Sequence, residues 1–407
     1  MKAPFNNFRL LLRFLRFTGF FPFRKVIDPE SLSERLVPIK WTIQLLQYSL
    51  ITVILNAPSV TFVTYFKLQF NRCSNPIHCY VLLFEEGIGI KTSKMDIINV
   101  IILLSLNFVI HFTLMISIIR SKKKIIELHD YIADFATHDP FVLLKKKREA
   151  RNRVYFLLLL FVTIISIFSI ASFVGFHTSE LKFQVWQSLW SSIVVFTQFI
   201  WMLSPFLTFY LISTEIASVS LPSWLMEIKK SIINENEISF DVTKKFMNAL
   251  QMFCEIIKVD IFILFTIILL AVVLNVYLMV SFFVGDHEMN SGMIVRVVAF
   301  GIYGIFFMII AFDYNYNSQL IYDSTQELKD LIEAIDTPDN TTLITFNSKE
   351  MRPLHAQKLL IKEIDNFKGF NGNGYFTLGK PLLTSILANF ITYLIILVQF
   401  RISEKSN

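Results

Sequence analysis

Residues 154–176 read VYFLLLLFVTIISIFSIASFVGF, an uninterrupted stretch with no charged side chain, entered directly from the basic segment KKKREARNR at 145–153. About 20 apolar residues are needed to carry a helix through roughly 30 Å of hydrocarbon. Val154 to Phe176 meets that length and has a basic collar at one end. Working outward, six more windows have the same character: Trp41 to Val63, Ile97 to Ile119, Leu189 to Ile212, Ile261 to Val284, Met293 to Phe312 and Pro381 to Phe400. Pro205 inside Leu189 to Ile212 predicts a kink. The fold class expected is all-α, a polytopic protein of seven transmembrane helices.

The composition agrees. Of 407 residues, 54% are hydrophobic and 17% charged, with 42 Phe against 12 Gly and 12 Pro. Soluble domains carry about 25% charge, so the apolar excess belongs in lipid-facing and helix-facing positions. A net charge of +6 in a soluble chain would suit nucleic acid, but here the basic residues flank apolar spans, and no nucleic-acid partner is expected. Thirty of the 38 Lys and Arg fall in residues 1–40, 120–153, 213–260 and 313–380. Cytoplasmic loops carry this excess, so the N-terminus is expected inside and the C-terminus outside.

That topology divides the chain into a cytoplasmic N-terminal segment (1–40), six helices with their loops (41–312), a cytoplasmic helical segment (313–380), a seventh helix (381–400) and an extracellular tail (401–407). Charge patterning predicts helices around Gln326 to Glu333 and Ala356 to Phe367. Ile256, Ile257 and Val259 predict that the fifth helix runs out of the bilayer without a break. Arg9, Arg13 and Arg16 recur at i, i+4 and i+7 opposite Phe8, Leu11, Leu12 and Leu15, as in a helix lying on an anionic leaflet, or in a solvated arm. They also argue against a cleavable signal peptide. Cys73 and Cys79 share one loop, either bridged or free. Asn340-Thr341-Thr342 fits a glycosylation triplet on the inner side, where no modification is expected.

Enzyme chemistry has no footing in the motifs. There is no Walker loop, no Gly-x-Ser-x-Gly, no His-Glu-x-x-His and no dinucleotide fingerprint, and the seven His are scattered. No metal or cofactor is expected. His111 stands alone in the second span, where a packed or hydrogen-bonded His is the ordinary case. A G-protein-coupled receptor would have the opposite orientation and an Asp-Arg-Tyr-like triplet where this chain has Phe176-His177-Thr178.

The last span carries Ser385, Asn389, Thr392, Ile396 and Gln399, spaced 4, 3, 4 and 3, so they share one helical stripe. Polar side chains in a bilayer face a partner helix or a water-filled path, and spacing alone leaves both readings open.

Thr392-Tyr393-Leu394-Ile395-Ile396-Leu397-Val398-Gln399-Phe400 resembles the Thr-Tyr-five-hydrophobics-Gln-Phe signature that ends the last helix of insect gustatory receptors. Gly369-Phe370, Tyr375-Phe376-Thr377-Leu378 and Leu382-Leu383 resemble that family's approach to the same helix. The signature covers about 35 residues, while length, span number and topology agree over the whole chain. The resemblance implies a ligand-gated, non-selective cation channel in the plasma membrane of chemosensory neurons. It would be a homotetramer or a heteromer with other gustatory receptors, anchored by cytoplasmic helices, with the seventh helices lining a central pore. The opening ligand is expected to be a small-molecule tastant, a bitter or other non-volatile plant compound. Leu394 stands where sugar receptors often carry Glu, which lowers the sugar reading but leaves fructose open. Monovalent cations would pass, with divalent cations open.

The resemblance also implies a ligand pocket in the outer half of the second to sixth helices. The topology places there Asn107, Ser172, Phe176, Trp186, Trp190, Gln198, Asn275, Tyr277 and Tyr303; Arg296, near an outer end, is expected to snorkel to headgroups. Gln399 and Phe400 would lie at the extracellular mouth, Phe400 as a hydrophobic constriction, with Tyr393 steadying the helix. A seven-helix receptor signalling through a partner protein and a membrane enzyme or transporter remain the alternatives.

Overall fold

The computed structural model describes residues 9–17, 19–27, 34–70, 94–135, 140–177, 185–235, 238–284, 291–334, 344–345 and 353–406. Cys73, Cys79 and Asn340 lie outside them, as do the side chains of Arg9 and Arg296.

Long helices account for almost all of it: α1 (Arg9–Phe17), α2 (Trp41–Phe70), α3 (Lys94–Phe135), α4 (Pro140–His177), α5 (Val185–Thr214), α6 (Leu221–Glu235), α7 (Phe240–Val284), α8 (Ser291–Ala334), α9 (Pro353–Asn366) and α10 (Lys380–Ser406). Each of the seven apolar windows falls within one of these helices. Stretches of α2, α4 and α7, at 42–62, 144–174 and 240–277, are long and apolar enough to cross a membrane. The bundle is built from the pairings α4–α5, α3–α7, α7–α8, α4–α8, α2–α5 and α7–α10.

Several helices outrun their apolar windows. α3 continues through Arg120 to Phe135, burying Ile125, Leu128 and Ile132, and α8 continues to Ala334, burying Ile321, Leu328 and Ile332. α7 runs unbroken, with Phe246, Leu250, Phe253 and Ile257 extending its buried face below Ile261 and Leu264. The apolar repeat at three and four residues holds through these polar-rich extensions, so one core passes without a gap from the apolar windows into the layer below. α9 joins that layer through Leu360 and Ile364, and Lys329 of α8 ties it with an ion pair to Asp365 at 2.8 Å.

The chain does not break at Pro205, which lies inside α5. The irregularity comes ten residues later, where Glu215–Ser220 form a π-helical segment between α5 and α6. The N-terminus differs from expectation. α1 buries Leu11, Leu12 and Leu15 in the protein's own core together with Phe20, Phe21 and Phe23, so its apolar face is not left for a leaflet. Arg13 and Phe14 stay exposed, while Arg16 donates from Nε to the Phe23 carbonyl at 3.0 Å. The cover comes from an antiparallel hairpin, β1 (Phe23–Ile27) with β2 (Glu34–Pro38). A parallel two-residue pairing of β3 (Ile238–Ser239) with β4 (Ile344–Thr345) is the other sheet contact described.

Candidate functional site

The seventh predicted span is α10, and its base is fixed before it starts. Residues 367–379 fold into a compact connector closed by a bridge between Asn371 and Thr377. Gly372 belongs there because a Cβ would lie 2.5 Å from the Phe376 ring, and Gly374, at φ 84°, takes a left-handed conformation open to glycine. Phe376 packs on Phe262 and Phe265, Tyr375 stacks on Phe262 at 4.8 Å, and Phe370 meets Phe253 edge-on at 5.3 Å. α8 grips the connector from the other side. Asn315 Oδ1 accepts the Gly379 N–H at 2.8 Å, and Ser318 Oγ accepts the Phe370 N–H and donates to the Leu378 carbonyl, both at 3.4 Å.

Above this base α10 is held on one side. Ile386 is buried and Leu382, Leu383, Leu394 and Val398 are half-buried, against α7 and α8. Ser385, Asn389, Thr392, Ile396 and Gln399 are all exposed, and Tyr393 is 54% exposed. Thr392 Oγ1 donates to the Ala388 carbonyl at 3.0 Å, an intrahelical bond that leaves its methyl outward. Leu387, Ile391 and Ile395 are exposed as well. A single chain thus leaves α10 largely uncovered along both a polar stripe and an apolar flank. Phe400 lies on this helix, with its side chain outside the described residues.

The expected ligand residues separate into two groups. In the first, α5 is laced to its neighbours: Gln198 Nε2 donates to Asn56 Oδ1 at 2.8 Å and Ser59 Oγ at 2.7 Å on α2. Trp190 Nε1 donates to the Pro58 carbonyl at 3.2 Å, Trp186 meets the Tyr65 ring edge-on, and Ser172 of α4 donates to Ser191 Oγ at 3.1 Å. In the second, Asn275 and Tyr277 are fully buried on α7. Asn275 Nδ2 donates to the Ala271 carbonyl at 2.6 Å, whereas its Oδ1, buried near Gly304, has no partner. Asn107, Phe176 and Tyr303 lie on α3, α4 and α8, and their side chains fall outside the described residues.

Two polar clusters were not singled out from sequence. His111 is buried where Tyr48 Oη meets its Nε2 at 2.6 Å and Trp201 stacks on it at 3.8 Å; Trp201 Nε1 donates to Thr52 Oγ1 at 3.0 Å. The lone intramembrane His is therefore packed and hydrogen-bonded, the ordinary case. Lower down, Arg153 Nη1 donates to Asp313 Oδ1 at 3.2 Å and to Asn317 Oδ1 at 2.7 Å, and Tyr210 Oη donates to Asp313 Oδ2 at 2.8 Å. Ser213 and Tyr314 hydroxyls meet at 2.6 Å. A small cavity, sized for about one water molecule, opens among Ser213, Ser218, Asp313, Tyr314 and Asn317. The signal for this network was the run Asp313-Tyr314-Asn315-Tyr316-Asn317-Ser318-Gln319: its alternating faces serve Arg153 on one side and the connector on the other.

Long helices crossing the level of a membrane, a continuous lower helical layer and a final helix left uncovered define an all-α helical membrane protein of the insect chemoreceptor channel fold. The structure is similar to that of the insect olfactory receptor OR5 from Machilis hrabei in complex with eugenol, with a TM-score of 0.61 and 13% identity over 96% of this chain and 97% of that one. A second structure of the same receptor gives a TM-score of 0.58 and 13% identity over 96% and 98%. No family model matches the sequence, and no curated protein matches it.

Proposed function

We propose that this chain is one subunit of a gustatory receptor, a ligand-gated non-selective cation channel opened directly by a small-molecule tastant. The observation that carries the reading is α10, with Ser385, Asn389, Thr392, Ile396 and Gln399 exposed in line along a helix that one chain leaves uncovered. Copies meeting around an axis would cover the apolar flank and turn the polar stripe to a shared water-filled path. The fold likeness over 96% of the chain supports a channel over a partner-coupled receptor or an enzyme. The ending Thr392 to Phe400 supports the gustatory branch over the olfactory one.

In this reading the N-terminus is inside and the assembly is tetrameric in the plasma membrane of chemosensory neurons. The opening compound is a bitter or other non-volatile plant molecule, with fructose as the sugar alternative. The Machilis receptor's structure was solved with eugenol, a small aromatic, which agrees in kind with an apolar, aromatic-lined site at the outer half of the helices. Purified protein in a planar bilayer, exposed to a panel of tastants with no G protein present, is expected to pass cation current on addition of an agonist. A folded, ligand-binding assembly that passes none would overturn the proposal.

A further inference from the structure

The exposed residues of α4 lie on one face whose chemistry changes with height. Lys145, Arg148 and Arg151 are exposed at its lower end, Tyr155 and Phe156 come next, and Leu159, Val162 and Ile170 continue upward. At 100° per residue these positions share one side of the helix, while Ala150, Val154, Leu157 and Ile164 on the other side are buried. The order of basic, aromatic and aliphatic is the order of layers that a lipid-facing helix meets on passing from headgroups into acyl chains.

The charge on this face is available. Lys145, Arg148 and Arg151 have no acidic partner among the described residues, Glu149 sits 3.9 Å from Lys146, and Arg153, two residues on, turns inward to Asp313. From Lys145 to Arg151 the helix rises about 9 Å, comparable to the headgroup layer of roughly 5–8 Å on each side of a bilayer. α3, running the other way, repeats the transition: Phe108, Phe112 and Ile116 are exposed, then Arg120, Lys123 and Lys124. Two helices with different neighbours thus change from apolar to basic in the same sense along the bundle.

We propose that Lys145, Arg148 and Arg151, with Tyr155 and Phe156 above them, form a binding face for the headgroups of anionic phospholipids in the surrounding membrane. Guanidinium and ammonium groups at successive heights meet phosphate and carboxylate oxygens, and the aromatic pair seats the glycerol and upper chains. The face is independent of the channel reading, because lipid binding is measured without current.

The full chain, purified in detergent and reconstituted into nanodiscs of phosphatidylcholine with or without phosphatidylserine, would be released gently and its retained lipid counted by native mass spectrometry. Wild type is expected to keep phosphatidylserine in preference to phosphatidylcholine. Each neutralisation among Lys145→Gln, Arg148→Gln and Arg151→Gln is expected to weaken that retention about fivefold. Lys358→Gln, an exposed change on α9, should leave it unchanged. Equal retention in the triple variant and wild type overturns the proposal. So does a loss shared by Lys358→Gln, which would mark a diffuse charge effect. Soluble inositol polyphosphate is the remaining arm: if it raises the thermal midpoint of wild type as much as the lipid does, the face recognises free phosphate and the assignment to lipid falls. Single variants keep the test open should the triple variant unfold.

Discussion

Asn315 and Gly379 are 64 residues apart in sequence, yet the Asn315 side-chain oxygen takes the Gly379 backbone N–H at 2.8 Å in a fully buried setting, one residue before α10 begins. α8 therefore sets the angle at which the last helix enters the bundle, through one amide. Leaving that N–H buried without an acceptor costs about 1–3 kcal/mol. Asn315→Leu is expected to lower the thermal unfolding midpoint accordingly, and Asn315→Asp, which keeps an acceptor, to lower it less. Equal loss in both would show that the bond itself contributes little.

Arg153 is the second such tie, reaching Asp313 and Asn317 on α8 from α4. Removing the guanidinium strands a mostly buried carboxylate. The expected destabilisation for Arg153→Met is about 2–4 kcal/mol, at the lower end because Arg153 is partly exposed. Arg153→Met combined with Asp313→Leu should recover part of that loss in a double-mutant cycle, with surface expression as the readout. Strict additivity would argue against the pair.

Gly372→Ala puts a methyl where the Phe376 ring already stands. To make room Phe376 must leave Phe262 and Phe265, an overpacking cost of about 1–3 kcal/mol. Protease sensitivity of the connector is expected to rise, and Gly374→Ala, which meets no atom within 4 Å, should act only through backbone strain.

At the proposed pore mouth, Phe400→Ala should raise ligand-independent current and Gln399→Ala should change conductance or opening, measured in patches with surface expression matched. If both variants gate as wild type does, the constriction belongs to Ser385, Asn389, Thr392 or Ile396.

Gln198 offers a test of the proposed ligand face. Gln198→Ala frees Asn56 and Ser59 from their shared donor; together with Trp190→Ala and Tyr277→Ala it should move the ligand dose-response. Unchanged curves for all three would place the pocket elsewhere.

The apolar windows were readable because a span needs only local information: length, hydropathy and flanking charge. The unbroken course of α7 through Lys258 and Asp260 was readable too, since its three-and-four repeat continues. The connector's grip was not, because Asn315 and Ser318 are ordinary helix residues until residues 60 positions away fold against them. The same holds for Arg153, which belongs in sequence to a basic collar and in space to a buried network. α1 shows the limit of amphipathicity: Leu11, Leu12 and Leu15 declared that a surface would be covered, but what covers it was decided by Phe20, Phe21 and Phe23.

The π-helical turn at Glu215–Ser220 acts on everything after it as a phase shift. Its bonds span five residues, as in Ser220 Oγ to the Glu215 carbonyl and the Leu221 N–H to the Ile216 carbonyl, so it holds one more residue than an α-helical turn would. Deleting one residue there would let α5 and α6 fuse into a single regular helix and would rotate α6 by about 100°. Trp224, Leu225, Ile228 and Ile232, now buried, would swing toward water. A lone deletion between 215 and 220 should therefore be far more damaging than any substitution there, and an insertion one turn later should compensate for it.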